Sequence, residues 1–200
     1  MPNHRHLAIV LAAALVIFGK LYASDPAETY RVRKEDSVVM FTITKWLVFR
    51  EEGRFKYFSG VILYDRSHPE ETYVELSAQA ASIDSRNEGR DRALRSEEFF
   101  DAPKYPALLF QSLSASARGS DTILITGNLT IKGTTKRVIV PVRYLGGSRV
   151  KDVGELVGFE TNFTINREDF GVAKGWGILS NEVSIHLLIG AMKSGERASK

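Results

Sequence analysis

The sequence predicts an all-β protein built from antiparallel strands, and three observations predict it. About eight segments between Thr29 and Ile189 either alternate apolar with polar residues or are rich in β-branched and aromatic side chains. Short, turn-like connections join most of them. Only one long stretch, Arg90–Phe110 (RDRALRSEEFFDAPKYPALLF), reads as neither strand nor tight turn.

Taken in order, Thr29–Arg33 alternates weakly and opens the sheet. Val38–Phe49 (VVMFTITKWLVF) reads as one strand, with Val39, Phe41, Ile43 and Leu47 on one face. Gly53 is expected to end a turn before the strand Arg54–Tyr64, in which Gly60 suggests a bend or bulge. Thr72–Ala80 alternates clearly, with Val74, Leu76, Ala78 and Ala80 pointing one way. Asp121–Ile131 repeats the pattern with Ile123, Ile125, Leu129 and Ile131, after a strand at Ala107–Ala115. Lys132-Gly133 then makes a turn into Arg137–Tyr144, where Pro141 suits only an edge or a bulge. Glu155–Ile165 places Phe159, Thr161, Phe163 and Ile165 on one face, and Glu182–Ile189 completes the set. Long antiparallel strands sharing an apolar face either pack as a sandwich or close into a barrel, and periodicity does not choose. The small inward residues Ala78, Ala80 and Gly127 hint at interior space.

The central stretch supplies a short helical segment near residues 86–101. Arg90–Leu94 holds helix formers, and Ser96 is read as an N-cap with Glu97 and Glu98 behind it. Phe99 and Phe100 follow, and Pro103 and Pro106 stop the helix. Such a segment is either a connector stapled to the core by two Phe residues or a lid over the end of the β-structure.

The first residues have the layout of a secretory signal: Arg5 in a short basic start, then the apolar run Leu7–Phe18, with Ala23 a suitable last residue before cleavage. The expected organisation is a signal peptide at 1–23, one domain at 24–192 and a polar tail at 193–200, with a periplasmic or secreted product. No stable membrane span is expected after cleavage. Arg5 and Lys20 are the only charged residues in the leader, so its removal takes the formal net charge from +3 to +1. That is no basis for a nucleic-acid surface, which needs clustered Lys and Arg. The chain has no cysteine, so its stability comes from the core rather than disulfides.

Catalytic and metal-binding patterns are missing. Outside the leader, only His68 and His186 remain, and no histidine pair has metal-ligand spacing. There is no nucleophile elbow and no glycine-rich phosphate loop. Asp84, Asp91 and Asp101 lie near Arg86, Arg90, Arg92 and Arg95, a mixture usual for a solvated, ion-paired surface. No metal or cofactor is expected, and the sequence gives little support for an enzyme.

Four segments, together spanning about residues 30–190, resemble the YceI-like family of exported polyisoprenoid- and lipid-binding proteins. They are Gly53-Arg-Phe-Lys-Tyr-Phe-Ser-Gly60; Ser82-Ile-Asp with Arg90-Asp91, Leu94-Arg-Ser96, Phe99-Phe-Asp101 and Tyr105-Pro106; Gly127–Lys136; and Ile165-Asn-Arg-Glu-Asp-Phe-Gly171. Where the family commonly has an Asp-x-x-His-Ser run, this chain has Lys34-Glu35-Asp36-Ser37. The resemblance implies an eight-stranded antiparallel, lipocalin-like barrel holding an isoprenoid or other long-chain amphiphile. It makes Arg90, Asp91 and Arg167 candidates for head-group contacts, with Arg167 and Asp169 alternatively a pair fixing a turn. Phe41, Phe55, Phe58, Phe99, Phe100, Phe110, Leu129 and Trp176 become candidates for the apolar lining. Two other readings stay open: an enzyme acting on such a lipid through Asp91 or Asp101, and a filled barrel binding a protein partner. A homodimer is also compatible.

Overall fold

The computed structural model describes residues 27–151, 154–175 and 177–195. Ten strands are present: β1 (Glu28–Lys45), β2 (Phe49–Phe55), β3 (Phe58–Tyr64), β4 (Tyr73–Gln79), β5 (Ile83–Asp84), β6 (Ala107–Arg118), β7 (Thr122–Ile131), β8 (Thr134–Val150), β9 (Gly154–Asn166) and β10 (Leu179–Lys193). Eight of them, β1, β3, β4 and β6 to β10, pair in antiparallel order around a ring that the β10–β1 ladder closes. Closure leaves those strands without a free sheet edge. The expected barrel is therefore present, with β2 and β5 as two extra strands. β1 is long enough to pair with β3 through Glu28–Arg31 and with β2 through Met40–Lys45.

The inward faces follow the alternation of the sequence. β7 is the clearest, since Ile123, Ile125, Leu129 and Ile131 are all buried. One end of the barrel is filled by Tyr30, Ile62, Tyr64, Val157, Phe159 and Ala191. There the rings of Tyr64, Tyr144 and Phe159 meet at 5.1–5.6 Å between centroids, in tilted and edge-on arrangements that aromatic pairs favour. Two further clusters lie toward the other end, one around Leu129, Ile165 and Phe170 and one around Phe55, Ala78 and Ile83.

Several local expectations are corrected. The strand read as Val38–Phe49 breaks at Trp46–Val48, and Gly53, expected to end a turn, lies inside β2 opposite Phe41. A Cβ at Gly53 would lie 2.3 Å from the Phe41 ring, so this glycine makes room for an aromatic side chain. Gly127 does the same for Phe110, at 2.5 Å, so the space it leaves is already occupied. Gly60 causes no bulge, because the β3–β4 register runs unbroken from Phe58 to Leu63. The irregularities fall at Arg33/Val38, Ile43/Lys45, Ser112/Ser114 and Tyr144/Gly146. At the first of these, Ser37 Oγ donates to the Arg33 and Gly190 carbonyls. Pro141 stands just before the β8–β9 ladder, which begins at Val142, so its missing N–H interrupts no bond there.

The helix α1 (Glu88–Arg95) starts earlier than expected. Asn87 caps it by accepting from the Arg90 N–H, and Ser96 is its C-cap rather than an N-cap, donating to the Ala93 carbonyl. Arg95 ties the last turn to β5 through the Ala81 and Ile83 carbonyls. Two lysines fasten the following turn across the barrel end: Lys132 donates to the Glu97 and Gly171 carbonyls, and Lys174 pairs with Glu98 at 2.6 Å.

Candidate functional site

The barrel encloses a cavity of about 540 Å³, within the range of about 300–1,000 Å³ usual for ligand pockets. Members of all three hydrophobic clusters line it, from Ile62, Phe159 and Ile189 near the filled end to Phe55, Ala78, Leu129 and Phe170 toward the other. Its wall is therefore apolar along the length of the barrel. Trp46 and Ile178 line the cavity yet are about half exposed, which places its mouth between the β1–β2 hairpin and the loop before β10. The Trp46 N–H donates to the Ile178 carbonyl at 2.8 Å and joins the two sides of that mouth.

Phe41, Phe55, Phe58, Phe99, Phe100, Phe110 and Leu129 all line this cavity, as the expected apolar set would. The Phe55 ring sits between those of Phe41 and Phe100, 5.9 and 5.8 Å away. Phe99 and Phe100 bring the segment after α1 over the barrel end, so it forms wall as well as connection. Trp176 lies outside the described residues, as do residues 1–26.

Arg90 and Arg167 also line the cavity, but their donors are engaged by the protein. Arg90 donates to the Ser85 hydroxyl and carbonyl, both at 2.8 Å, and its guanidinium pairs with Glu51. Asp91 points elsewhere: it accepts from the N–H and hydroxyl of Ser85 and is not part of the cavity wall. Ser85, Arg90, Asp91 and Glu51 together pin α1 against β5 and β2.

Arg167 is 5% exposed, and its guanidinium donates to the carbonyls of Val172, Lys174, Leu179 and Ser180 and to Asn181 Oδ1. It does fix a loop, but through carbonyl oxygens and not through Asp169. Burial pushes its pKa down, and the nearby Glu168 opposes that shift. A guanidinium keeps its proton in proteins. A positive charge thus sits in the wall, its donors met by backbone carbonyls and an amide oxygen while Glu168 stands nearby.

Two polar residues in the wall were not singled out from the sequence. Thr72 and Thr161 are each 6% exposed, and their Oγ1 atoms lack a hydrogen-bond partner among the described residues. Both line the cavity. For Thr161 a signal existed: it is the one polar side chain on the inward face of Phe159, Phe163 and Ile165. A buried hydroxyl without a partner costs roughly 1–3 kcal/mol, so an apolar cavity carrying two of them is suited to a ligand with an oxygen or nitrogen within reach. Among the described residues, no group of three or more His, Cys, Asp or Glu could hold a metal ion.

The comparisons agree with this architecture. A protein of Azotobacter vinelandii described as a UPF0312 protein is 34% identical over 184 residues, covering 89% of this chain and 92% of its own. The crystal structure of Burkholderia cenocepacia BcnA matches with a TM-score of 0.75 and 26% identity, over 80% of this chain and 99% of that one. A polyisoprenoid binding domain from Saccharophagus degradans matches with a TM-score of 0.63 over 84% of this chain and 99% of that one; at 15% identity, that likeness is one of fold. The YceI-like domain family itself matches residues 30–191, from the third residue of β1 to near the end of β10. The chain belongs to the YceI-like domain family.

Proposed function

We propose that this protein binds a polyisoprenoid or another long-chain amphiphile inside its barrel, and that it does so as an exported carrier. The cavity carries the reading: about 540 Å³ of space walled by Phe, Ile, Leu and Val from strands all round the ring. An apolar tail placed there gains about 0.8 kcal/mol per buried methylene, so affinity needs few polar contacts. Membership of the YceI-like family supports this, and the S. degradans barrel of the same fold is described as binding polyisoprenoid. The positive charge of Arg167 in the wall and the paired Arg90 favour a head group that is anionic or rich in oxygen. The apolar N-terminal run supports export.

Binding accounts for the site better than catalysis does. Asp91 and Asp101, the carboxylates an enzyme reading would use, do not line the cavity. Of the glutamates that do, Glu51 is paired with Arg90, Glu160 is paired with Arg143, and Glu52 is exposed to solvent. A barrel that only binds protein at its rim has no use for an apolar interior space. Native mass spectrometry of the protein purified from its own host, followed by lipid extraction, tests the proposal. The expected result is a stoichiometric adduct that extracts into organic solvent as a long-chain lipid. A protein that stays at its polypeptide mass and takes up no isoprenoid on incubation overturns it.

A further inference from the structure

The hairpin at the cavity mouth has a second feature that ligand enclosure does not require. The loop Trp46–Val48 joins β1 to β2, and the Val48 N–H donates to the Lys45 carbonyl at 3.2 Å to close a turn. Its two central residues, Trp46 and Leu47, have φ of 50° and 63°. Turns of that kind favour Asn-Gly, because a side chain in the left-handed region is strained. Here the strained positions carry two large apolar side chains, and both are exposed: Trp46 is 56% exposed at the edge of the cavity and Leu47 96%. Val48 and Phe49 extend the same exposed patch, and Ile178 adds to it from across the mouth. Strain retained at an exposed apolar tip calls for a function of the tip itself.

We propose that this hairpin is a membrane-docking tip, which inserts into the interfacial layer of a lipid bilayer and sets the cavity mouth against it. Three observations select a bilayer as the partner. First, the tip is continuous with the cavity, since Lys45, Trp46 and Ile178 belong to its wall. A long-chain ligand dissolves in membranes and hardly in water, so this mouth has to meet one. Second, the composition is interfacial: a Trp ring beside Leu, Val and Phe, the amphipathic aromatic that settles at head-group level. Third, cations flank the apolar tip directly. Lys45 lies over the Trp46 ring at 4.4 Å, and Arg50 is exposed on the other strand, without an ion pair among the described residues. Both are positioned for anionic lipid head groups. The nearest acids in β2 are Glu51, committed to Arg90, and Glu52, one residue farther from the tip.

The docking proposal goes beyond lipid binding by the cavity and rests on it only for the identity of the cargo. The test is co-sedimentation of the full chain with large unilamellar vesicles of phosphatidylcholine and phosphatidylglycerol, 3:1, for wild type, Leu47→Asp and Ile139→Asp. Asp tolerates the left-handed backbone, so Leu47→Asp keeps the turn. Loss of one inserted Leu side chain should lower the partition coefficient at least about tenfold. Ile139→Asp, which removes an exposed side chain from the barrel wall, should match wild type. Raising the salt should weaken wild-type binding, since Lys45 and Arg50 act through screened charge. In parallel, geranylgeraniol uptake is read by native mass spectrometry, and Leu47→Asp should take it up as wild type does. Vesicle binding lost while uptake is kept supports docking; uptake lost in wild type overturns the cavity reading and leaves the vesicle result to stand alone. Docking is overturned if wild type ignores the vesicles or if Leu47→Asp binds them equally well. It is likewise overturned if the tip proves to be a protein interface, seen as a dimer in sedimentation that Leu47→Asp disrupts while wild type stays off the vesicles.

Discussion

Thr161 interrupts an inward face otherwise made of Phe159, Phe163 and Ile165, and its hydroxyl has no partner among the described residues. Thr161→Val keeps the shape and removes the unpaired group. Urea unfolding of the unliganded variant should show a gain of about 1 kcal/mol, whereas a ligand with an oxygen near that wall should bind several-fold more weakly. A destabilised variant would mean the hydroxyl is satisfied in solution. Arg167 presents the opposite case, a side chain whose donors are all taken. Lysine offers three donors on a flexible stem and cannot bond four carbonyls spread over Val172–Ser180. Arg167→Lys should therefore lose about 2–4 kcal/mol of stability, as one or more carbonyls lose a charged partner. If stability is unchanged while an anionic lipid is lost, the arginine serves the head group directly. Sequence placed Arg167 at the site through its motif, but a linear chain does not show which carbonyls a later loop will bring to it. Asp91 was misplaced for a related reason: it follows Arg90 directly, yet its carboxylate turns back to cap Ser85 and not into the cavity.

At the scale of the element, the strands were legible because alternation is a local signal, as β7 and β4 show. The β1–β2 hairpin was not legible. Lys45-Trp-Leu-Val-Phe49 contains no Gly, Asn or Pro, and every residue after Lys45 favours a strand, so the turn was read at Gly53 instead. The glycines had another purpose, which only cross-strand packing shows: Gly53 and Gly127 face Phe41 and Phe110. This leads to a test. Gly127→Ala would set a Cβ 2.5 Å from the Phe110 ring and 2.8 Å from the Gln111 carbonyl, so the ring must swing away. Phe110 lines the cavity, so β7 would lose about 1–3 kcal/mol and the cavity would change shape. The measurement is paired, unfolding midpoint and bound lipid, and both should fall. A variant with native stability would show that Phe110 relaxes freely. The helix was placed within a few residues, but Ser96, read as its N-cap, is its C-cap: the Asn87 side chain accepts from the Arg90 N–H at one end and Ser96 donates to the Ala93 carbonyl at the other, and only those partners tell the ends apart.

For the whole molecule, the family and the barrel could be read from four spaced segments, while the size of the cavity could not. Of the three small residues taken as signs of space, Ala78 lines the cavity, Gly127 is covered by Phe110, and Ala80 is buried in a turn outside it. Ala78→Phe should thus occupy ligand space and cut bound lipid, with the unfolding midpoint kept within a few degrees. If the site were packed core, overpacking would cost about 1–3 kcal/mol and leave lipid content alone. The ring itself is sealed by its first and last strands: Tyr30 pairs with Lys193, and Glu28 holds the Lys193 ammonium across 165 residues of chain. A ladder of such sequence separation bears the full entropy of loop closure before it returns any stability, which places the barrel among slow-folding topologies. During synthesis β1 emerges first and waits for β10, the strand that completes its longest ladder. Until then, the edge of β1 and the inward Ile and Phe faces stay open to other chains. The protein is therefore at its most aggregation-prone just before it is complete, and a chaperone that holds β1 would act at the step where the barrel is most vulnerable.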